Sequence, residues 1–197
     1  MSTAETRETI LVAAWRLMKT DASNVTMASI ARAAEVSRQA VYLHFESRAG
    51  LLLALVRWRD EASNFFSRID RASNNLEPLS ALEGCLRTWL NYLPELDPVP
   101  LYLARARDDP PAYAAWSDRM RALEALYREP IVRLDAEGSL LLSPDRAVAA
   151  VRAVAGLSAW QHLVKDCGWG QRAAVDTIWR ATCGAILHPD ACRGTER

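Results

Sequence analysis

The sequence is poor in the features that mark fibrous, disordered, exported or membrane-spanning chains. Only 8 Gly and 9 Pro occur among 197 residues, which argues against a low-complexity or largely disordered chain. No apolar run approaches the ~20 residues that span a bilayer. The first residues lack a basic segment followed by an apolar one, so we expect no signal peptide. The expected location is the cytoplasm, with no membrane partner.

An excess of charge of one sign is also missing, because 24 basic and 24 acidic residues cancel. Any nucleic-acid surface must therefore be a local patch. Cysteine is scarce too, and none of the four forms a Cys-x-x-Cys pair: Cys85, Cys167, Cys183 and Cys192. We expect reduced thiols, mostly small buried residues, with redox sensing by Cys167 or Cys183 as the alternative.

Strand patterns are lacking, and apolar residues recur at helical spacing along the whole chain. The sequence therefore predicts an all-α fold of about nine helices. Their expected ranges are about 4–20, two short helices after Thr26 and Ser37, then 48–73, 78–93, 101–107, 110–138 with a kink at Pro130, 144–165 and 171–187. Pro94, Pro98 and Pro100 are expected to end the helix that begins at Pro78.

Residues 26–51, TMASIARAAEVSRQAVYLHFESRAGL, contain two short helical segments on either side of a tight turn at Val36-Ser37. Such a helix-turn-helix unit projects its last helix, whose width fits the major groove of B-DNA. Arg38 can bond guanine, Gln39 can bond adenine, and the Ala40 methyl can contact a thymine methyl.

Further groups of this stretch suit the DNA backbone. Tyr42 and His44 lie nearer the flanks of the projecting helix, where phosphate oxygens are reached. Ser47 and Arg48 combine a helix N-terminus with a cation, which favours an anion. Arg7 and, less directly, Arg16 can approach the backbone from the first helix.

The same stretch resembles the DNA-binding segment of the TetR family of transcriptional regulators. The matching positions are Thr26, Ile30, Ala31, Ala34, Val36, Ser37, Val41, Tyr42, His44, Phe45, Ser47, Arg48 and Leu51. The resemblance implies a helix-turn-helix DNA-binding domain at 1–50 and an effector-binding and dimerisation domain at 51–187. A polar, disordered tail is expected at 188–197.

What the resemblance implies for function is a one-component regulator, most simply a repressor. It would bind a near-palindromic operator as a homodimer, and a small-molecule effector in the C-terminal domain would release it. Within the motif, contact with DNA is assigned to Thr26, Ser37, Arg38, Gln39, Ala40, Tyr42, His44, Ser47 and Arg48.

Two further sites follow from the resemblance and lie in the C-terminal domain. The effector pocket is expected among helices rich in aromatic residues, which favours an apolar or aromatic ligand; the candidates are Trp89, Tyr92, Tyr102, Arg105, Tyr113, Trp116, Met120, Tyr127, Trp160 and His162. The dimer interface is expected on small residues of the last two helices, namely Ala149, Ala153, Gly156, Leu157, Ala174, Ile178, Ala181 and Ala185.

One position departs from the family pattern. Glu35 stands where the family usually has Gly, at the end of the second helix, where a left-handed backbone is commonly needed. A residue with a Cβ there costs on the order of 1–2 kcal/mol. The turn is expected to tolerate this cost, and Glu35 is expected to discourage nonspecific phosphate contact.

Two other interpretations stay open beside the regulator. One is an interaction module of the same fold that has lost DNA binding. The other is a helical enzyme, for which the sequence offers little: no Glu-x-x-His pair, no P-loop and no Gly-x-Ser-x-Gly occur. A Cys167–His162 pair is conceivable but lacks a third orienting group. No catalytic residue, metal or cofactor is therefore expected.

Overall fold

The structure is a computed structural model that describes residues 2–21, 25–74, 76–97, 99–100 and 110–192. Within these ranges the secondary structure is helical, with one isolated bridge between Leu140 and Leu187, and the predicted all-α fold is confirmed. The helices are α1 (Thr3–Asp21), α2 (Met27–Ala33), α3 (Arg38–Phe45), α4 (Arg48–Ala62), α5 (Phe65–Ser73), α6 (Pro78–Leu96), α7 (Pro110–Ala136), α8 (Pro144–Val154), α9 (Leu157–Gln161, continuing as a π-helical turn His162–Asp166), α10 (Gln171–Ile186) and the single turn α11 (Pro189–Cys192). The short helix predicted at 101–107 lies outside the described residues.

The chain packs into two compact units. The first comprises Met1–Asn64 and Glu95–Arg119, and the second comprises Phe65–Pro94 and Met120–Arg197. The helix-turn-helix lies in the first unit, and α8 to α11 lie in the second. The functional boundary that the sequence predicts after residue 50 stays a prediction.

Three hydroxyl residues begin the helices around the predicted DNA-binding segment. Each side-chain oxygen accepts a hydrogen bond of 3.0 Å from a backbone N–H in the first helical turn: Thr26 from Ser29, Ser37 from Ala40, and Ser47 from Gly50. Such N-caps satisfy a donor that the helix itself leaves unpaired. Their predicted capping role is confirmed.

Two long helices of the prediction are each broken in the structure. The helix predicted at 48–73 is wrong as a single element, because Ser63 and Asn64 form a turn in which Asn64 has φ 50°. The helix predicted at 144–165 ends at Val154 and restarts after Gly156. A Cβ at Gly156 would lie 2.6 Å from the carbonyl oxygen of Arg152, so this break requires glycine.

Two prolines lie inside helices that continue through them. Pro94 was expected to end α6, and this was wrong, since α6 runs to Leu96; α7 likewise runs through Pro130. A proline leaves the carbonyl four residues earlier without its helical donor. Here neighbouring side chains supply it: Gln171 Nε2 donates to the Leu90 oxygen (2.9 Å), and the Cys85 thiol donates to the Leu126 oxygen (3.7 Å).

Each unit has its own buried centre. In the second, Phe65 stacks on Tyr92 with ring centroids 4.4 Å apart, and both side chains are fully buried. In the first, Arg119 Nη2 lies 2.8 Å from Asp60 Oδ1, and this ion pair joins α7 to α4. After α10 the chain is tied back by a hydrogen bond from the His188 N–H to the Ser139 oxygen (3.0 Å), and α11 follows within the predicted tail.

Candidate nucleic-acid interface

Helix α3 is held by its apolar side against the other helices of the first unit. It packs on α2 and α4, and α1 packs on α2 and α4. Val41 is fully buried, and Phe45 and Ile30 are 5% and 1% exposed. Because one side of an eight-residue helix is fixed in this way, its opposite side must face solvent.

The turn between α2 and α3 has a defined hydrogen-bond pattern. The Val36 N–H donates to the Ala31 oxygen (3.0 Å) and the Glu35 N–H donates to the Arg32 oxygen (3.2 Å), which is a Schellman motif. Glu35 occupies its left-handed position with φ 54°, so the backbone conformation expected there is confirmed. Glycine fills the equivalent place after α7, where Gly138 has φ 68°.

The outward face of α3 carries the side chains that suit base contact. Arg38 and Gln39 are exposed, and Ala40 is half-buried. The Arg38 guanidinium lies 5.5 Å from the centroid of the Tyr42 ring, and its Nη2 is 3.4 Å from the Tyr42 hydroxyl. This pairing restricts the rotamers of the long Arg38 side chain, and a side chain that is already ordered loses less entropy in any contact that it makes.

Leu43 is a residue of this face that the sequence analysis missed. Its side chain is 78% exposed, although it lies two residues from each of the buried Val41 and Phe45. Its outward direction could have been inferred from the sequence, because position 43 lies on the side of the helix opposite to the face that Val41 and Phe45 share. An exposed apolar side chain here suits a thymine methyl.

The rim of this face holds groups suited to phosphate. Arg48 is exposed at the start of α4, His44 is half-buried, and the Arg7 guanidinium of α1 lies 5.5 Å from the Phe45 ring centroid. The hydroxyls of Thr26, Ser37 and Ser47 are engaged in their helix caps. Their contribution to an anion would come from the helix N-termini that they begin.

A small cavity lies in the second unit, where the effector pocket was expected. Its volume is about 30 Å³, and its walls come from α6, α7, α8 and α9: Leu86, Trp89, Met120, Leu123, Glu124, Tyr127, Val151, Arg152, Ala155, Gly156 and Leu157. Glu124 and Arg152 form an ion pair at this wall. Burial raises the pKa of the Tyr127 hydroxyl, which therefore stays protonated.

The structure brings only part of the predicted pocket set to this cavity. Trp89, Met120 and Tyr127 line it, whereas Tyr92 packs on Phe65 and Trp160 donates its indole N–H to Gln171 Oε1 (2.8 Å). Three others do not line this cavity, and their assignment to a pocket stays a prediction: Trp116 is buried in the first unit, and Tyr113 and His162 are exposed. Tyr102 and Arg105 lie outside the described residues.

The predicted interface residues also divide into two groups. Ala149, Ala153 and Ala181 are exposed, and Gly156, Leu157 and Ala185 are half-buried. Ala174 and Ile178 are 0% and 3% exposed, because α10 packs on α8 of the same chain. These two residues are part of the chain's own core, and their assignment to an interface was wrong.

Comparison with known proteins agrees with this geometry. Residues 10–55 match the family model described as bacterial regulatory proteins, tetR family. ArpR of Pseudomonas putida, a probable HTH-type transcriptional regulator, is 37% identical over 87 residues, 44% of this chain and 40% of that protein. The HTH-type transcriptional regulator TtgR, also of Pseudomonas putida, is 36% identical over 87 residues, with the same shares. The chain thus matches about two-fifths of the length of these relatives.

Solved structures extend the similarity of fold to nearly the whole chain. A TetR-family transcriptional regulator from Rhodococcus sp. superposes with a TM-score of 0.70 at 17% identity, covering 92% of this chain and 98% of the other. NalD, the secondary repressor of the MexAB-OprM multidrug efflux pump in Pseudomonas aeruginosa, superposes with a TM-score of 0.64 at 21% identity, covering 95% and 98%. The helix-turn-helix segment of this chain thus matches the tetR family model over residues 10–55, and the fold of nearly the whole chain is similar to that of TetR-family structures.

Proposed function

We propose that this chain is a one-component transcriptional regulator, a repressor that binds a near-palindromic DNA operator as a homodimer. A small molecule bound in the second unit would favour a dimer state in which the two recognition helices no longer match the operator. Such control requires the effector to bind one dimer state more tightly than the other. An enzymatic activity is not part of the proposal.

The outward face of α3 is the observation that carries this proposal. Arg38, Gln39 and Leu43 are all exposed on a helix whose other side is buried in a helix-turn-helix. Together they offer donors for guanine, donor and acceptor for adenine, and an apolar contact for thymine.

Selection of DNA from a random pool by the purified chain, at roughly physiological salt, tests the proposal. The expected result is an enriched inverted repeat whose half-sites are about 34–36 Å apart or a multiple of that spacing. A folded dimer that enriches no sequence, with or without candidate effectors, would support the interaction module instead.

The homodimer is proposed from an apolar surface on α8 and α9. The stretch Pro144–Asp166 is long and apolar enough to cross a membrane, yet Ala155 and Gly156 interrupt its helix. Only 28% of the most apolar segment of this stretch is buried within the chain. A second copy covering Ala149 and Ala153 would bury this surface, since small residues let helices approach closely. Light scattering of the purified chain tests this.

The effector site is proposed at the cavity beside Trp89 and Tyr127. Its volume of about 30 Å³ leaves room for little more than water, whereas small-molecule pockets occupy about 300–1,000 Å³. We therefore infer that the described conformation is the closed one and that an effector opens it. The walls are apolar apart from the Glu124–Arg152 ion pair and the protonated Tyr127 hydroxyl, which favours an apolar or aromatic ligand that carries a hydrogen-bond acceptor.

Replacing Gln39 or Arg38 by Ala should relax specificity at one base position of each half-site. The expected loss is about 1–3 kcal/mol of binding free energy on the selected operator and much less on random DNA. Fluorescence anisotropy on both DNAs measures this. Arg71→Ala, an exposed arginine of α5 in the second unit, is the matched control and should bind as wild type. Equal losses on both DNAs for Gln39→Ala would contradict its role in base contact.

Replacing Arg48 by Ala should have a different signature, because a phosphate contact carries no sequence information. Binding to operator and random DNA should weaken alike. The slope of log K against log salt should become shallower by about 0.9 for each phosphate that the arginine no longer neutralises. Titrations at several salt concentrations measure the slope. An unchanged slope with weakened operator binding alone would assign Arg48 to base contact.

A further inference from the structure

Three chemically active side chains meet on the surface at the end of α9, outside the proposed DNA and effector sites. The Cys167 Sγ lies 3.6 Å from His162 Nε2. The other nitrogen of the same ring, Nδ1, lies 3.5 Å from Asp166 Oδ2. Each imidazole nitrogen therefore faces a different partner, and all three residues are exposed to solvent.

The π-helical turn His162–Asp166 produces this arrangement. Its i→i+5 pattern is shown by the Cys167 N–H, which donates to the His162 oxygen at 2.9 Å. Residue 167 is thereby placed above residue 162, and Asp166, four residues after His162, lies on the same side. Gly168 follows with φ 70° and ends the helix. The Cys167 thiol is exposed to solvent at this helix end.

We propose that Cys167 is a reactive thiol that His162 activates and Asp166 orients, and that it is modified covalently by activated alkenes. A nucleophile, a base within hydrogen-bond reach and a third group that positions the base are the parts that nucleophilic activation requires. From the sequence alone, the Cys167–His162 pair lacked a third orienting group, and in the structure Asp166 supplies that group. Asp166 is a positioning residue, since it acts through the imidazole.

The reaction is an addition that consumes no oxidant and no second thiol. The thiol proton passes to His162 Nε2, and the thiolate forms a bond from Sγ to the β-carbon of the alkene. The electron pair of the C=C π bond moves to the α-carbon, which takes the proton from the imidazolium. The products are a thioether on Cys167 and a neutral imidazole.

The surroundings make this thiol different from those of Cys85 and Cys183. Both of these are buried, and burial raises the pKa of the Cys85 thiol. The charged groups of the segments next to Cys167 have partners elsewhere: the Lys165 ammonium lies 5.8 Å from the Trp160 ring centroid, and Arg172 Nε lies 3.9 Å from Asp176. Asp166 lies against the imidazole from the same π-helical turn, with its Oδ2 3.5 Å from His162 Nδ1.

Alkylation of the full-length chain by acrylamide between about pH 5.5 and 9 tests the proposal, with peptide mapping to assign the label among the four cysteines. At about pH 6.5, below the ordinary pKa of a free thiol, Cys167 should react about 10-fold faster than glutathione. His162→Gln should remove this advantage, so that its rate rises with pH as glutathione's does. Asp166→Asn should give an intermediate rate at low pH.

The control is His188→Gln, which removes another exposed histidine of the same unit and should leave the rate profile unchanged. Circular dichroism of each variant verifies folding. A wild-type profile that coincides with glutathione's, an unchanged rate in His162→Gln, or faster labelling of any other cysteine would overturn the proposal. No DNA enters the assay, so either outcome is independent of the proposed DNA binding.

Discussion

Replacing Arg119 by Met is expected to lower the free energy of unfolding by about 3–5 kcal/mol. Its guanidinium lies 2.8 Å from the Asp60 carboxylate, and the two side chains are only 11% and 6% exposed. Removing the cation leaves a carboxylate that water cannot reach easily, and its desolvation is then no longer offset by the Arg119 charge. Urea denaturation at a fixed protein concentration measures the change.

Two further variants isolate the cause of this loss. Arg128→Met removes a similar pair with Asp145, whose side chains are 46% and 85% exposed, and should change stability by less than about 1 kcal/mol. The double variant Asp60→Leu with Arg119→Met should recover most of the stability, because neither charge of the buried pair remains. If Arg119→Met and Arg128→Met had equal effects, burial would not be what makes the Asp60 pair important.

Replacing Phe65 by Ala is expected to destabilise the chain by about 3–5 kcal/mol, as for other fully buried aromatic residues. Its ring is 0% exposed, stacks on Tyr92 at 4.4 Å and meets the edge of Trp89 at 6.2 Å between centroids. Truncation therefore removes buried apolar area and leaves a cavity among large rings that cannot collapse easily. Thermal and urea unfolding both measure the loss.

The next residue provides the control for this substitution. Phe66 lies on the same helix but is 47% exposed, so Phe66→Ala should cost no more than about 1 kcal/mol. The same atoms are removed from adjacent positions with the same helix propensity. Equal losses for the two variants would mean that α5 is not packed through Phe65 in solution.

Helix beginnings were predictable from the sequence because their signals are local. Thr26, Ser37 and Ser47 bond backbone groups three residues away, so residue type and spacing identify them. The break after Ala62 was missed because apolar residues continue on both sides of it, from Val56 to Phe65. That break depends on Asn64 adopting a positive φ, which asparagine tolerates but does not require.

The candidate DNA site was largely predictable for the same reason, and the candidate cavity was not. Arg38 and Gln39 lie two residues or fewer from a capping serine, and their direction follows from the buried stripe of the helix. A cavity wall depends on which helices meet, and the spacing of aromatic residues within one helix holds no such information. Trp160 therefore looked like a ligand-binding residue, although its indole N–H is already bonded to Gln171.

The proline in α6 has a consequence for how this chain can change in evolution. The amide of Gln171 provides the donor that Pro94 withholds from the Leu90 carbonyl, and it also accepts from Trp160. While Pro94 is present, losing Gln171 leaves a carbonyl without its partner, which costs on the order of 1–3 kcal/mol if the carbonyl stays buried.

The reverse order of change is permitted. Once another residue replaces Pro94, its own N–H can bond the Leu90 carbonyl. Residue 171 then no longer has to donate a hydrogen bond to that carbonyl. The two positions, 77 apart in the sequence numbering, are therefore expected to covary among relatives, with change at 94 preceding change at 171. An ancestral series should contain chains that have Gln171 without Pro94, and few that have Pro94 without a donor at 171.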